Sequence, residues 1–188
     1  GYPVIIKAAS GGGGKGMRIV WKDDDLEENL TIASNEALAN FSDGTVYIEK
    51  YLQNPRHVEL QVIADGKGGV AILGERDCSV QRNHQKLIEE SPSPGVTPAM
   101  RDAMSSGARN LFSSLKYCGA GTIEFLVVGE AFYFMEVNAR IQVEHPVSEF
   151  VTGTDLIREQ ILVCCGQPMT IDPDNVQLSG WSIEARIN

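Results

Sequence analysis

Strand-like runs in this sequence follow one another with only a tight turn between them. Neighbours joined that way pair antiparallel, because a parallel crossover needs about a dozen residues or more. Residues His57 to Ala64 alternate cleanly, with Val58, Leu60 and Val62 on one face and His57, Glu59 and Gln61 on the other. Asp65-Gly66-Lys67-Gly68-Gly69 forms a turn, and Val70 to Gly74 begins the returning strand. Gly121 to Val128 and Phe132 to Val137 flank Gly129-Glu130-Ala131 in the same manner. Further strand signals lie at Pro3 to Ala8, Met17 to Trp21, Thr45 to Glu49 and Trp181 to Ile187. Asp23 to Phe41 carries Leu26, Leu30, Ala33, Ala37 and Leu38 at helical spacing. Ala99 to Leu115 and Asp155 to Cys165 also read as helices, the latter ended by Gly166 and Pro168. Residues 77–98, polar and holding Pro92, Pro94 and Pro98, read as a long loop, and residues 139–152 as irregular chain. Strand pairs dominate over strand–helix–strand units, which argues an α+β fold with antiparallel sheets and flanking helices.

The 188 residues suit one domain, or most of one, with a sizeable core. Sixteen Lys and Arg face 25 Asp and Glu, a formal net charge of −9. A protein that binds nucleic acid by neutralising phosphates is usually basic, so no nucleic-acid partner is expected. A local basic cluster can still hold a small phosphate compound inside an acidic protein. No run of 18 apolar residues exists, so no membrane span is expected. Cys78, Cys118, Cys164 and Cys165 show neither CxxC spacing nor a disulfide framework, and read as reduced thiols of a cytoplasmic-type protein. The chain opens inside an apolar run without Met and stops at Ile187-Asn188 in a strand, so an excerpt of a longer polypeptide is expected. A targeting signal in that parent would make the location organellar.

Several segments carry chemistry. Ser10-Gly11-Gly12-Gly13-Gly14-Lys15-Gly16 would let backbone N–H groups approach an anion closely. It is not a Walker loop, because Ala9 and Gly16 stand where that motif needs Gly and a hydroxyl. Gly11, Gly13 and Gly16 match GxGxxG, but a strand follows where a dinucleotide fold needs a helix. A glycine hairpin lying over phosphates fits; a flexible surface turn is the plainer alternative. Lys7, in the strand before it, either reaches the same phosphate or points to solvent. Glu49-Lys50-Tyr51-Leu52 could read a purine and its ribose, or be a solvated charge pair at a strand end.

Glu136 and Asn138, two apart on one strand, share a face. With a three-residue loop at 129–131, Glu124 lies opposite Glu136, and like charges in that position call for a cation between them. Two carboxylates and an Asn carbonyl favour Mg²⁺ or Mn²⁺; a different register would leave the two glutamates apart. Arg140, Gln142 and Glu144 alternate, so an extended segment projects them together: a planar fork for a carboxylate-like anion, a hydrogen-bonding amide and a candidate general base. His57 and His84 read either as structural histidines or as ligand contacts, and Gln81 to Lys86 is the most basic local run.

Ile5-Ile6-Lys7-Ala8 with the glycine loop, Glu49 to Leu52, Glu75-Arg76-Asp77-Cys78-Ser79, Gln81 to Lys86, Gly121 to Phe125 and Phe134 to Pro146 resemble the ATP-grasp region of biotin carboxylase. The resemblance covers essentially the whole chain, and Glu136 to Pro146 is its most specific part. The same module occurs in acetyl-CoA, propionyl-CoA, methylcrotonyl-CoA, pyruvate and urea carboxylases; carbamoyl-phosphate synthetases share the fold but continue differently after Glu-x-Asn. The resemblance implies an ATP-grasp fold with a glycine-rich hairpin over the nucleotide, a small lid subdomain at 1–53 and a large subdomain at 54–188.

It further implies that Lys7 and Gly11, Gly12, Gly13, Gly14 and Gly16 hold ATP phosphates. Glu49, Lys50 and Leu52 would receive adenine, with His57, Gln81 and His84 completing the nucleotide pocket. Glu124, Glu136 and Asn138 would bind Mg²⁺ or Mn²⁺. Lys86, Arg140, Gln142 and the Val143 backbone would hold bicarbonate, Glu144 would deprotonate it, and Arg186 would stabilise the enolate of biotin, the carboxyl acceptor. The implied partners are a biotin carboxyl carrier, a carboxyltransferase and, as the family is commonly dimeric, a second copy. Asn83 and Ala139 depart from the Arg and Thr often found in the family. Because family members carry further domains on both sides, this stretch is expected to be inactive alone. The competing readings are an ATP-binding module without turnover and another ATP-grasp carboxylate ligase.

Overall fold

The computed structural model describes residues 1–11, 15–83 and 85–187. The chain divides into two compact units, Gly1–Asn54 and Pro55–Asn188. In the first, strands β1 (Val4–Ala8), β2 (Arg18–Val20) and β3 (Val46–Lys50) form an antiparallel sheet in the order β2-β1-β3. Helix α1 (Leu26–Phe41) follows a short turn of 3-10 helix at Asp23–Asp25. Ile6, Val20 and Ala33 make the core, with Leu26, Leu30 and Val46 packed against it. Leu38, at helical spacing with these residues, is instead 56% exposed. Gly16 has φ +68°, and a methyl group there would lie 2.9 Å from Ala8 Cβ, so only glycine lets the chain return this tightly onto β1. Gly12, Gly13 and Gly14 lie outside the described residues, as does His84 of the second unit.

The second unit is a six-stranded antiparallel sheet in the order β8-β7-β4-β5-β6-β9. Its strands are β4 (Arg56–Asp65), β5 (Val70–Arg82), β6 (Gln85–Ser91), β7 (Cys118–Val128), β8 (Ala131–Asn138) and β9 (Ser182–Ala185). Helix α2 (Pro98–Ser114) begins at Thr97, whose hydroxyl accepts from Met100 N at 3.2 Å, with proline at the first helical position. It covers one sheet face, where Met100, Met104, Ala108 and Phe112 bury against Val58, Leu60, Val62, Ile123, Phe125 and Val127. Arg101 of α2 grips the buried Glu75 with two bonds of 2.7 and 2.5 Å, so this buried charge is paired in fork geometry.

Helices α3 (His145–Thr152) and α4 (Leu156–Cys164) lie on the other face. Along β4 that face changes character. His57, Glu59 and Gln61 are polar, while Ile63, one step further, joins Ala71, Leu73, Ala120, Leu156 and Val163 in a second apolar core.

Two sequence readings are corrected here. Residues 77–98 are not one loop: β5 runs to Arg82 and β6 returns from Gln85 to Ser91. Asp77, Gln81, Lys86 and Ser91, among its polar side chains, bond to other groups of the sheet. Residues 145–152 of the segment read as irregular form α3, closed by Gly153 at φ +66°. The link between β7 and β8 also differs in detail. Val128 pairs with Ala131, leaving a two-residue turn, and a bulge between Glu124 and Phe125 then brings Glu124 opposite Glu136.

Phe112 is 1% exposed and meets Tyr117 edge to face at 5.1 Å. Phe112→Ala is expected to lower unfolding stability by about 3–5 kcal/mol through the cavity it leaves. Urea denaturation followed by circular dichroism checks this, and a loss under about 1 kcal/mol contradicts the packing described.

Candidate functional site

Cross-strand register builds the site in the second unit. Glu59 on β4 lies opposite Arg76 on β5 and Glu124 on β7, so three charged residues sit in one row across the sheet. All are buried, with Arg76 and Glu59 fully so. Arg76 Nε donates to Glu59 Oε1 at 2.7 Å. Its Nη1 donates to Gln61 Oε1 at 2.6 Å and Ser148 Oγ at 2.9 Å, and its Nη2 to Gln142 Oε1 at 3.2 Å. One guanidinium thereby ties β4, β5, the segment after β8 and helix α3 together. A buried charge is tolerated only when its hydrogen-bonding capacity is met in this way.

Lys86 on β6 completes the cluster. Its ammonium contacts Glu59 Oε2 at 2.5 Å, Glu144 Oε1 at 2.8 Å and Glu124 Oε1 at 3.1 Å. Burial disfavours its charge, but Glu59 and then the other carboxylates outweigh that and raise its pKa. Glu144 is also held by Arg186 Nη2 at 3.3 Å. Its carboxyl is pushed up by burial, yet the hydrogen bond and charge of Lys86 bring it below the usual carboxylate range. Arg186 Nε is a buried donor without a partner among the described residues, so the guanidinium beside Glu144 retains a bond it could give to an anion.

Glu124 receives His57 Nε2 at 2.5 Å, Asn138 Nδ2 at 2.9 Å and Gln142 Nε2 at 3.0 Å. Gln81 Nε2 donates to His57 Nδ1 at 2.6 Å, which leaves the ring proton on Nε2, facing Glu124. Burial alone would raise the Glu124 carboxyl, but His57 and Lys86 lower it to about 2. Asn138 Nδ2 also lies 3.4 Å from Glu136 Oε1, so one amide sits between the two carboxylates. Turned over, it offers a third oxygen at that point, and hard oxygen donors of this kind fit Mg²⁺ or Mn²⁺. Glu136 itself is exposed. His57, Glu59 and Glu124 also present donor atoms within 4.8 Å of one another, but Lys86 already stands between Glu59 and Glu124.

The structure therefore gathers Lys86, Glu124, Glu136, Asn138, Gln142, Glu144, Arg186, His57 and Gln81. Arg140 is not drawn in: it is exposed and Nη1 donates to the neighbouring Ile141 carbonyl at 3.1 Å. Val143 is 63% exposed. In the first unit, Lys7 pairs with Glu49, its diagonal neighbour across β1 and β3. Lys50 Nζ donates to the Gly1 and Tyr2 carbonyls at 2.9 and 3.2 Å, Leu52 is half-buried and Gly11 is exposed.

Glu59, Arg76, Gln61 and Ser148 were not among the expected site residues. The alternation of β4 placed Glu59 and Gln61 beside His57, which was the available signal. Glu89 was missed as well. It is fully buried on β6 opposite Glu184, with neither carboxylate oxygen hydrogen-bonded among the described residues. Burial and then the charges of Glu144 and Glu184 raise its pKa.

Comparison with known proteins agrees with this geometry. The family described as "Carbamoyl-phosphate synthase L chain, ATP binding domain" matches residues 1–171. A biotin carboxylase of Haemophilus influenzae is 50% identical over the whole chain, which spans 42% of that protein. The biotin carboxylase–β,γ-ATP complex from Campylobacter jejuni superposes with a TM-score of 0.91 at 51% identity, covering 99% of this chain and 42% of that one. The biotin carboxylase domain dimer of Hydrogenobacter thermophilus 2-oxoglutarate carboxylase, in complex with MgADP, ADP and bicarbonate, gives a TM-score of 0.90 at 44% identity, covering 99% of this chain and 41% of that one. The chain belongs to this ATP-binding family, as an α+β ATP-grasp domain of the biotin carboxylase type.

Two outcomes follow from the cluster. Arg76→Met leaves buried carboxylates and amides without their shared donor and is expected to cost about 3–5 kcal/mol in urea unfolding. In metal-free protein the Glu124 carboxyl should titrate near 2 by carbon-13 NMR. Because its folded pKa lies below the unfolded one, the stability it contributes is present above about pH 4.3 and is lost as pH falls toward its folded value.

Proposed function

We propose that the protein carrying this chain performs the first half-reaction of a biotin-dependent carboxylase. ATP and bicarbonate form carboxyphosphate and ADP, and the carboxyl group passes to biotin on a carrier. The observation that carries this reading is Glu144 held between Lys86 and Arg186, both within hydrogen-bonding reach, with a buried donor of Arg186 unmet. A base and two cations at one point suit a small acidic anion that must lose a proton.

In this reading bicarbonate is bound by Lys86, Arg140, Gln142 and the Val143 backbone. An anion on Lys86 competes with Glu144 for the ammonium, which raises the proton affinity of the carboxylate as the substrate arrives. Glu144 takes the bicarbonate proton, and the freed oxygen attacks the γ-phosphorus of ATP as ADP leaves. Carboxyphosphate breaks down to CO₂ and phosphate. Phosphate removes the N1 proton of biotin, Arg186 stabilises the resulting enolate, and CO₂ joins N1.

Glu124, Glu136 and Asn138 would hold Mg²⁺ or Mn²⁺, which lowers charge repulsion between the nucleotide phosphates and the incoming anion. The carboxylates Glu59, Glu124, Glu144, Glu89 and Glu184 outnumber the cations Arg76, Lys86 and Arg186 around the site, so added divalent charge is favoured there. Lys7 and Gly11 to Gly16 are assigned to the phosphates, and Glu49, Lys50 and Leu52, with His57, Gln81 and His84, to the rest of the nucleotide. Residues 1–53 are assigned as the lid subdomain and 54–188 as the large one. A carrier, a carboxyltransferase and a second copy are the partners this chemistry requires or the family suggests.

The test is bicarbonate-dependent ADP release by the full-length protein with and without free biotin. Biotin should stimulate release, and Glu144→Gln should lower it by about 10²-fold or more, the scale of a lost general base. ATP cleavage indifferent to biotin would leave the fold and remove the acceptor. Unaltered turnover in Glu144→Gln would remove its role as base.

A further inference from the structure

Three of the four cysteines gather where β7 begins and α4 ends, away from any residue the carboxylation reading uses. Cys118 is the first residue of β7 and Cys164 the last of α4; both are free and exposed. Cys118 Sγ donates to the carbonyl of Val163, the residue before Cys164, at 3.6 Å. A methyl group at Gly119 would lie 3.7 Å from Cys164 Sγ, so the residue beside Cys118 leaves the space against the second thiol clear. The Cys164 thiol is pushed up by burial first, then by the neighbouring Cys118 thiol. Both residues are exposed, so a small oxidant can reach them.

We propose that Cys118 and Cys164 are a redox modification site, oxidised to an intrachain disulfide by a small-molecule disulfide of the glutathione type. One cysteine thiolate attacks the oxidant's S–S bond, forming a mixed disulfide and releasing one equivalent of the small thiol. The second cysteine attacks the protein sulfur of that mixed disulfide and releases the other equivalent. Two protein thiols are oxidised, one small disulfide is reduced to two thiols, and no other reactant is needed. The new bond closes the stretch from residue 118 to residue 164. Glu124, Glu136, Asn138, Arg140, Gln142 and Glu144 all lie inside it, so the segment that carries the metal and bicarbonate assignments becomes a covalent ring. The inference stands on contacts in the second unit alone and is independent of the proposed reaction.

Cys78 serves as an internal control, because it is fully buried and burial pushes its thiol up. The experiment equilibrates the full-length protein in buffers of reduced and oxidised glutathione, blocks the remaining thiols with N-ethylmaleimide and maps peptides by mass spectrometry. The expected product is a peptide pair joined through Cys118 and Cys164, lighter than the free pair by two hydrogens and separated by dithiothreitol. C118S and C164S should each lose the link and C165S should keep it. Glutathione adducts that stop at either cysteine overturn the proposal. So does a link from Cys165 to Cys164 or to Cys118, and so does the absence of oxidation in a buffer that oxidises a thioredoxin-type dithiol.

Discussion

A guanidinium shut away from water, Arg76, sets the geometry of the second unit. Its donors reach Glu59, Gln61, Ser148 and Gln142, which come from one strand, one helix and the segment between β8 and α3. Each of those groups is buried and would be costly to leave unpaired. The chain after Asn138 must therefore fold back over the sheet where it does, since Gln142 and Ser148 find their partner only there. That return carries Glu144 to Lys86. A buried ion pair is weak evidence for stability, but a donor shared among several elements is a strong constraint on arrangement.

Around that anchor the charges are unevenly matched. Lys86 is divided among three carboxylates, Asn138 between two, and Glu89 has no hydrogen-bond partner among the described residues. An all-protein core would be better served by fewer acids. The surplus suits the ligands proposed for the site, divalent metal with nucleotide, which carry their own counter-charge.

Much of this arrangement was legible in the chain. Clean alternation over His57 to Ala64 gave both faces of β4, and Glu136 with Asn138 on one face followed from the period of two. Glu124 does oppose Glu136, but through a two-residue turn and a bulge rather than a three-residue loop. The two routes give the same pairing beyond the bulge, so spacing alone could not separate them. Residues 77–91 hid their strands because polar side chains that bond within a sheet look like loop composition. Ser79, Gln81 and Lys86 bond to Asp77, His57 and Glu59. Arg76 and Glu59 stayed invisible for the same reason: a lone charge in a strand is more often solvated than central, and only cross-strand register brings the two together. Arg140, expected beside Gln142 and Glu144, is exposed because the chain turns at 143–144 into α3 and does not stay extended.

The change of character along β4 explains how the sheet carries such a cluster. On the α2 side the face is apolar along Val58, Leu60 and Val62. On the other side only His57, Glu59 and Gln61 serve the site, and from Ile63 onward the same face is packed under α4. Hydrophobic burial thus surrounds the polar row from behind and from one end. Stability drawn from those two cores lets the row hold buried acids and shared cations. It also fixes the backbone positions of Glu59 and Glu124 more firmly than their own interactions could. Precise placement is what the proposed proton transfer from a small anion needs, because it depends on sub-ångström distances that a loop-borne cluster would not keep.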